Sequence, residues 1–263
     1  MRLGIITTGQ GPRDEYVHYH RGIASALGLT IEIIDEHILE ELDWPAVRPH
    51  LGAEHEARLG AHVRVPGATG NRLGDGWDHV YVRLDWAIPF FQAAIDRLVA
   101  RGATAVLFCC ATLFEAGAFR CPVPLILPSR LMLAAVTDRI DGFDRSVRFG
   151  VMSSAGHGRQ DVQLWRDQPF ADRLDIRYEP FEGDILPAAR ALAGFRPDVV
   201  VVWSFGLGLA RRDPGNLTAT LEEMLGCPVM MPHRLAALTA FGLVTAGFDD
   251  RAFVERGAAS TSR

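Results

Sequence analysis

The sequence predicts an α/β protein of two pseudo-symmetric lobes, each a short parallel sheet flanked by helices. Three features lead to that class. Short apolar runs end abruptly in small or polar residues, helical stretches alternate with them, and the same stations recur in the same order in the second half of the chain.

The strand runs are Leu3-Ile6, Thr30-Ile34, Ala105-Cys109, Val123-Leu127, Val147-Met152, Asp175-Tyr178, Val199-Trp203 and Pro228-Met231. They are mostly continuous rather than alternating, as expected of strands buried on both faces of a parallel sheet. Helical stretches lie between them, among them Trp86-Arg101, Ser129-Ile140, Leu186-Ala193 and Thr218-Leu225, with Ser129 as an N-cap.

The repeat is direct. Gly4-Ile5-Ile6-Thr7-Thr8-Gly9 with Arg13-Asp14 is echoed by Gly150-Val151-Met152-Ser153-Ser154-Ala155 with Arg159-Gln160-Asp161. Leu29-Thr30-Ile31-Glu32-Ile33 is echoed by Leu174-Asp175-Ile176-Arg177-Tyr178. Cys121-Pro122-Val123 leading to Pro128-Ser129-Arg130-Leu131 is echoed by Cys227-Pro228-Val229 leading to Pro232-His233-Arg234-Leu235. A first lobe over 1–145, whose closing helix is a candidate to sit on the other lobe, is therefore followed by a second over 146–250 and a fraying tail over 251–263. The first lobe carries an insertion over 43–85. It reads as a hairpin turning at Asp75-Gly76 between Ala61-Val65 and Val80-Leu84, a lid or, with slight preference, a dimer contact, because its apolar face must be buried somewhere.

With 263 residues, 48% apolar, 22% charged and a net charge of -5, the chain is composed as a soluble globular protein. Its basic residues form no run longer than Arg211-Arg212, which argues against a nucleic-acid or membrane partner. Met1-Arg2 leads into an apolar run too short for a signal peptide or a span, and four irregularly spaced cysteines do not make a disulfide framework. A cytoplasmic protein acting on a small molecule is expected, with a homodimer as the expected assembly.

Ligands of open parallel sheets bind beyond the carboxyl ends of the strands. The candidates are therefore Thr7, Thr8, Gly9, Cys110, Ala111, Thr112, Ser129 and Arg130 in the first half, and Ser153, Ser154, Ser204, Gly206, His233 and Arg234 in the second. Hydroxyls and backbone amides at such ends cradle anions, so a carboxylate ligand fits. Arg130 is a bidentate clamp or an interlobe ion pair. Arg13 shares the loop after the first strand, where Gly9-Gln10-Gly11-Pro12 lacks the spacing of a nucleotide loop. Cys109 and Cys110 close a strand as buried hydrophobes or, for the one facing the cleft, as base or nucleophile. Cys121 and Cys227, at strand entrances, read as structural. The histidines form no metal-binding set, and His157 and His233 are the better placed for acid–base or substrate contacts.

On these residues the chain resembles the AroM family, within the aspartate/glutamate/hydantoin racemase superfamily, from Leu3 to about Phe248. Thr7-Thr8-Gly9-Gln10-Gly11-Pro12-Arg13-Asp14 is similar to the AroM signature, Pro128-Ser129-Arg130 to another family stretch, and Cys110-Ala111-Thr112 to the superfamily's Cys-Asn-Thr. The resemblance implies two α/β lobes and cofactor-independent proton transfer next to a carboxylate. In those racemases one cysteine from each lobe faces the substrate carbon. Here Cys110 takes the first place and Ser204 stands in the second, where the resemblance requires a cysteine. The resemblance thus implies a racemase- or isomerase-like enzyme with substrate held by Thr8, Gly9, Arg13, Cys109, Thr112, Arg130, Ser153, Ser154, Gly206 and His233. Its alternatives are a one-cysteine decarboxylase or cis–trans isomerase in the same cleft, and a non-catalytic carboxylate sensor.

Overall fold

The computed structural model describes residues 2–69, 73–156, 158–209 and 214–244. Arg211, Arg212, His157 and the tail over 251–263 lie outside these. Two four-stranded parallel sheets form the framework. In the first, β1 (Arg2–Thr7), β2 (Glu32–His37), β5 (Ala105–Phe108) and β6 (Leu125–Ile126) run in the order β2-β1-β5-β6. In the second, β7 (Val147–Ser154), β8 (Leu174–Phe181), β9 (Val199–Trp203) and β10 (Val229–Met230) run β8-β7-β9-β10, the same path. The repeat legible in the sequence is therefore a repeat of topology. Ile5 lies between Asp35 and Leu107, and Val151 between Tyr178 and Val201.

The inner strands are apolar because both their faces are covered. Every residue of β5 and of β9 is buried. The helices are α1 (Asp14–Ala26), the short α2 (Trp44–Val47), α3 (Leu84–Ala100), α4 (Pro128–Asp141), α5 (Gly158–Arg166), α6 (Leu186–Ala193), α7 (Pro214–Leu225) and α8 (Pro232–Val244). Equivalent glycines set the distance of α3 and α6 from their strands. A Cβ on Gly4 would sit 2.9 Å from Leu98 Cδ1, and one on Gly150 would sit 2.7 Å from Leu192 Cδ2.

The closing helix of each half seats on the other half's sheet. Met132, Val136 and Ile140 of α4 pack with Val147, Phe149, Val151, Val199 and Val201, alongside Trp165 of α5. Ala236, Ala237, Ala240 and Phe241 of α8 pack with Leu3, Ile5, Ala105 and Leu107, alongside Tyr16 and Ala24 of α1. Among the described residues no helix is long and apolar enough to cross a membrane.

The insertion folds as the antiparallel pair β3 (Arg58–Arg64) and β4 (Trp77–Arg83), with His62 opposite His79. The strands are joined by residues 65–76 rather than by a tight Asp75-Gly76 turn. Its apolar face needs no partner chain. Leu59, Ala61, Val63 and Val82 are buried in the first lobe's core with Ile38, Leu39, Val47 and Phe91, which removes the reason for preferring a dimer contact. A second local expectation is corrected at α4. Leu127 is its N-cap, Pro128 opens it, and Ser129 lies fully buried inside the first turn without capping.

One polar seam runs where α1 meets the second half. His20 and His233 are buried, His20 Nδ1 bonds the Tyr16 carbonyl at 2.7 Å, and Tyr19, Phe205 and Phe241 surround the pair edge-on. Burial pushes both imidazoles down to about 4. A histidine held neutral in the fold but free to protonate when unfolded stabilises fully above about pH 6.5, and that contribution is lost as pH falls towards 4. The stability gap between wild type and His20→Leu, measured by urea unfolding, is therefore expected to shift against the wild type by up to about 3 kcal/mol between pH 7 and pH 4. A gap independent of pH would show that His20 titrates alike in both states.

Candidate active site

The carboxyl ends of both sheets open on one cleft of about 770 Å³. From the first sheet it is lined by Thr8, Cys109, Cys110, Ala111 and Thr112, from the second by Ser154, Trp203, Ser204, Phe205 and Gly206, and from the hairpin by Arg58, Gly60, His62 and His79. The hairpin is thus a wall of the cleft.

The loop after β1 shows why its residues are what they are. Thr7 Oγ1 bonds His37 Nδ1 at 2.6 Å, tying the ends of β1 and β2 together. Thr8 reaches the cleft. Gly9 does not line it: its backbone, at φ 97°, bridges to His62, and a Cβ there would lie 2.1 Å from the His62 carbonyl oxygen. Gln10 N donates to that oxygen at 2.8 Å, Gln10 Oε1 accepts from Arg64 N at 2.6 Å, and Gln10 Nε2 donates to the Leu42 carbonyl. Gly9 and Gln10 therefore fasten the hairpin over the strand ends. Arg13 is buried beneath, with Nε on Glu15 at 2.7 Å, Nη2 on the Tyr16 hydroxyl at 3.0 Å, and its guanidinium 4.7 Å over the Tyr16 ring.

Cys109 and Cys110 follow β5, and both line the cleft. Cys109 N donates to the Ile6 carbonyl at 2.7 Å, extending the parallel ladder by one residue. Burial raises the Cys109 thiol well above its ordinary value, with the neighbouring Cys110 adding to the rise and Arg13 opposing it. Burial also pushes Cys110 up to about 12, opposed by hydrogen bonds from the Thr112 backbone and hydroxyl. At neutral pH Cys110 is a thiol carrying its proton, hydrogen-bonded to the threonine two residues on.

Arg130 and His233 lie elsewhere, and, like Gly9, Arg13 and Ser153, neither lines the cleft. Arg130 is exposed beside a separate depression of about 350 Å³, and its Nη2 caps the carbonyls of Phe114 at 3.4 Å and Glu115 at 3.1 Å. His233 is buried in the interlobe seam described above. Both stations follow a strand, but the helices they open carry these side chains away from the cleft.

The second lobe and the hairpin contribute residues that strand-end reasoning missed. Arg58 Nη2 donates to the Gly156 carbonyl at 3.0 Å, its guanidinium lies 5.0 Å over the Tyr81 ring, and its buried Nε has no hydrogen-bond partner among the described residues. Tyr81 Oη is 3.4 Å from Ser154 Oγ, and Gln160 Nε2 donates to the Glu54 carbonyl at 3.3 Å. The hairpin is thus pinned to the second lobe as well as the first. Asp161, in the first turn of α5, lines the same cleft at 7% exposure. Ser153, fully buried at the end of β7, lies beside it and donates to the Tyr178 hydroxyl at 3.4 Å, and Asp161 Oδ2 has no hydrogen-bond partner among the described residues. Burial raises this carboxyl to about 7, opposed by the serine. Asp161 stands at the repeat position of Glu15, the signal that could have exposed it. No group of three or more His, Cys, Asp or Glu side chains among the described residues is arranged to hold a metal ion.

The AroM protein family matches residues 3–244. The chain belongs to the AroM family. No curated protein sequence matches it significantly. Among solved structures, the allantoin racemase from Klebsiella pneumoniae superposes on this AroM-family chain with a TM-score of 0.51 at 14% identity, covering 94% of this chain and 89% of that one. The glutamate racemase from Aquifex pyrophilus gives a TM-score of 0.47 at 12% identity, over 92% and 83% of the two chains. The likeness is one of fold: this AroM chain has a racemase-like architecture.

A thiol that ionises only near pH 12 alkylates slowly at neutral pH, since the thiolate is the nucleophile. Iodoacetamide labelling of Cys110, followed by peptide mass spectrometry, is expected to rise about tenfold per pH unit from 7 to 9 with no plateau. A plateau below pH 8 would show an activated thiolate in its place.

Proposed function

We propose that this chain is a cofactor-independent enzyme of racemase or isomerase type, moving a proton at a carbon adjacent to a carboxylate in a small acid or amino-acid derivative. The observation that carries the reading is Cys110. It stands at a strand's carboxyl end in the cleft, holds its proton at neutral pH, and is set by Thr112. A protonated thiol in that position is a donor to a developing carbanion. The hydroxyls of Thr8, Thr112, Ser154 and Ser204 line the cleft around it, and Arg58, with an unused N–H, takes the clamping part expected of Arg130. Catalysis then consists of holding the carboxylate so that negative charge spreading onto it as an enediolate is met by fixed donors.

One observation favours a second reading. Ser204 occupies the place of a second cysteine, and an unactivated serine hydroxyl is too weak a base to remove a proton from carbon. A one-sided lyase needs only the thiol: loss of carbon dioxide from a malonate-type substrate leaves the enediolate, and Cys110 protonates one face. The high pKa of Cys110 weighs against a cis–trans isomerase that adds a thiolate to a double bond.

Both readings meet in one experiment. The purified protein in D2O is mixed with each enantiomer of aspartate, glutamate, N-carbamoylalanine and mandelate, and with phenylmalonate, and followed by proton NMR. Loss of an α-proton signal, or deuterated phenylacetate from phenylmalonate, is expected in the wild type, and a fall of about 10²–10⁴-fold in Cys110→Ala. A wild type that leaves every compound unchanged would assign the cleft to binding alone.

A further inference from the structure

We infer that Asp161 is the proton-transferring group of the second lobe, filling the role that a second cysteine would play and that Ser204 cannot. The inference rests on the proton-transfer reading above. Its footing is positional. Asp161 is supplied by the second half, lines the same cleft as Cys110, is 93% withdrawn from solvent (7% exposed), and keeps Oδ2 without a hydrogen-bond partner among the described residues.

The repeat sharpens this. Glu15 and Asp161 stand at the same distance from Gly4 and Gly150. Glu15 is tied to the buried Arg13 guanidinium at 2.7 Å, so its charge is spent on structure. Asp161 has the neutral Ser153 hydroxyl instead. Around it, β7 presents Ser153, β8 presents Tyr178, and beyond these the hairpin presents Tyr81, while Tyr16, His55, Glu56, Arg58, His62, His79, Asp167 and the two cysteines are the other titratable or charged groups lining the cleft. A carboxyl so placed divides between its acid and carboxylate forms near pH 7, as a general base or acid at that pH requires.

The step balances. The Asp161 carboxylate takes the proton from the substrate carbon, and the electron pair of the broken C–H bond passes into the substrate carboxylate as an enediolate. The Cys110 thiol gives its proton to the carbon's other face as the new C–H bond forms, leaving a thiolate. Water returns Asp161 and Cys110 to their starting forms, or a substrate of the opposite hand reverses the transfer. The two directions use acids of different strength, so they differ in pH dependence.

The test uses the full chain and the same carboxylate panel. In Asp161→Asn, exchange or racemisation of whichever panel compound the wild type accepts is expected to fall about 10²–10⁴-fold in kcat, with KM changed only a few-fold. The wild-type limb near pH 7 is expected to vanish from the residual rate, and Asp161→Glu is expected to recover part of it. A second readout needs no substrate. Because the folded carboxyl holds its proton to higher pH than the unfolded one, wild-type stability falls as pH rises from about 4 through 7, and Asp161→Asn lacks that fall. The mutant should therefore gain on the wild type in urea midpoint across this range. Full activity in Asp161→Asn, a loss confined to KM, or a urea-midpoint gap that does not change with pH would each overturn the role of Asp161 while leaving Cys110 in place. A wild type inert to the whole panel would overturn the parent reading and this one with it.

Discussion

Each parallel sheet is apolar on both faces, and this one constraint organises the molecule. The first half alone covers one face with α3 and the hairpin but only part of the other with α1. The second covers one face with α6 and α7 and part of the other with α5. Exchange of the closing helices completes both, α8 on the first sheet and α4 on the second. Burial of apolar surface is worth about 25 cal/mol per Å², so exposing either seat would forfeit a large part of the folding energy. The cleft is a consequence: sheets locked by each other's helices keep their carboxyl ends turned to one space.

Burial at the strand ends then sets the chemistry. A thiol and a carboxyl are both driven towards their neutral forms by loss of solvent, and they differ in what opposes the drive. At Cys110 the opposition comes from Thr112 and leaves the thiol protonated throughout the physiological range. At Asp161 it comes from Ser153 and leaves the carboxyl near the midpoint of its titration. In the first half, at the equivalent station, Arg13 pairs with Glu15 and no such group arises. One duplicated position thus carries structure in one lobe and a titratable group in the other.

The fold was open to reading because its signals are local. Continuous apolar runs mark buried parallel strands, and Gly4 and Gly150 stand where helices come closest, so the repeat is spelled out in residues that cannot change freely. Cys110 and Thr112 were legible for a related reason, since position after a strand fixes which end of the sheet a residue occupies. Arg130 and His233 were misplaced by the same rule, because a residue in the first turn of a helix can turn away from the cleft. Gly9 looked like a ligand contact and instead admits the hairpin backbone. Arg58 was hidden because nothing local tells that its strand lies over the strand ends. That follows from Gly9, Gln10 and Arg64, contacts made across about 50 residues of chain.

On the proposed reading, a serine at 204 means loss of chemistry only if the second lobe has a single place from which to reach the ligand. It has at least two. Ser204 follows β9, while Asp161 lies one turn into the helix after β7, and both line the same space. A serine hydroxyl next to the enediolate is a better hydrogen-bond donor than a thiol, and a poorer base than a carboxylate. On the proposed reading the duties divide, anion stabilisation falling to Ser204 and proton transfer to Asp161, each matched to its group. A pair of identical thiols treats the two hands of a substrate alike. A thiol facing a carboxyl does not: the two directions then differ in how kcat and KM vary with pH, while the equal energies of mirror images keep their kcat/KM values equal.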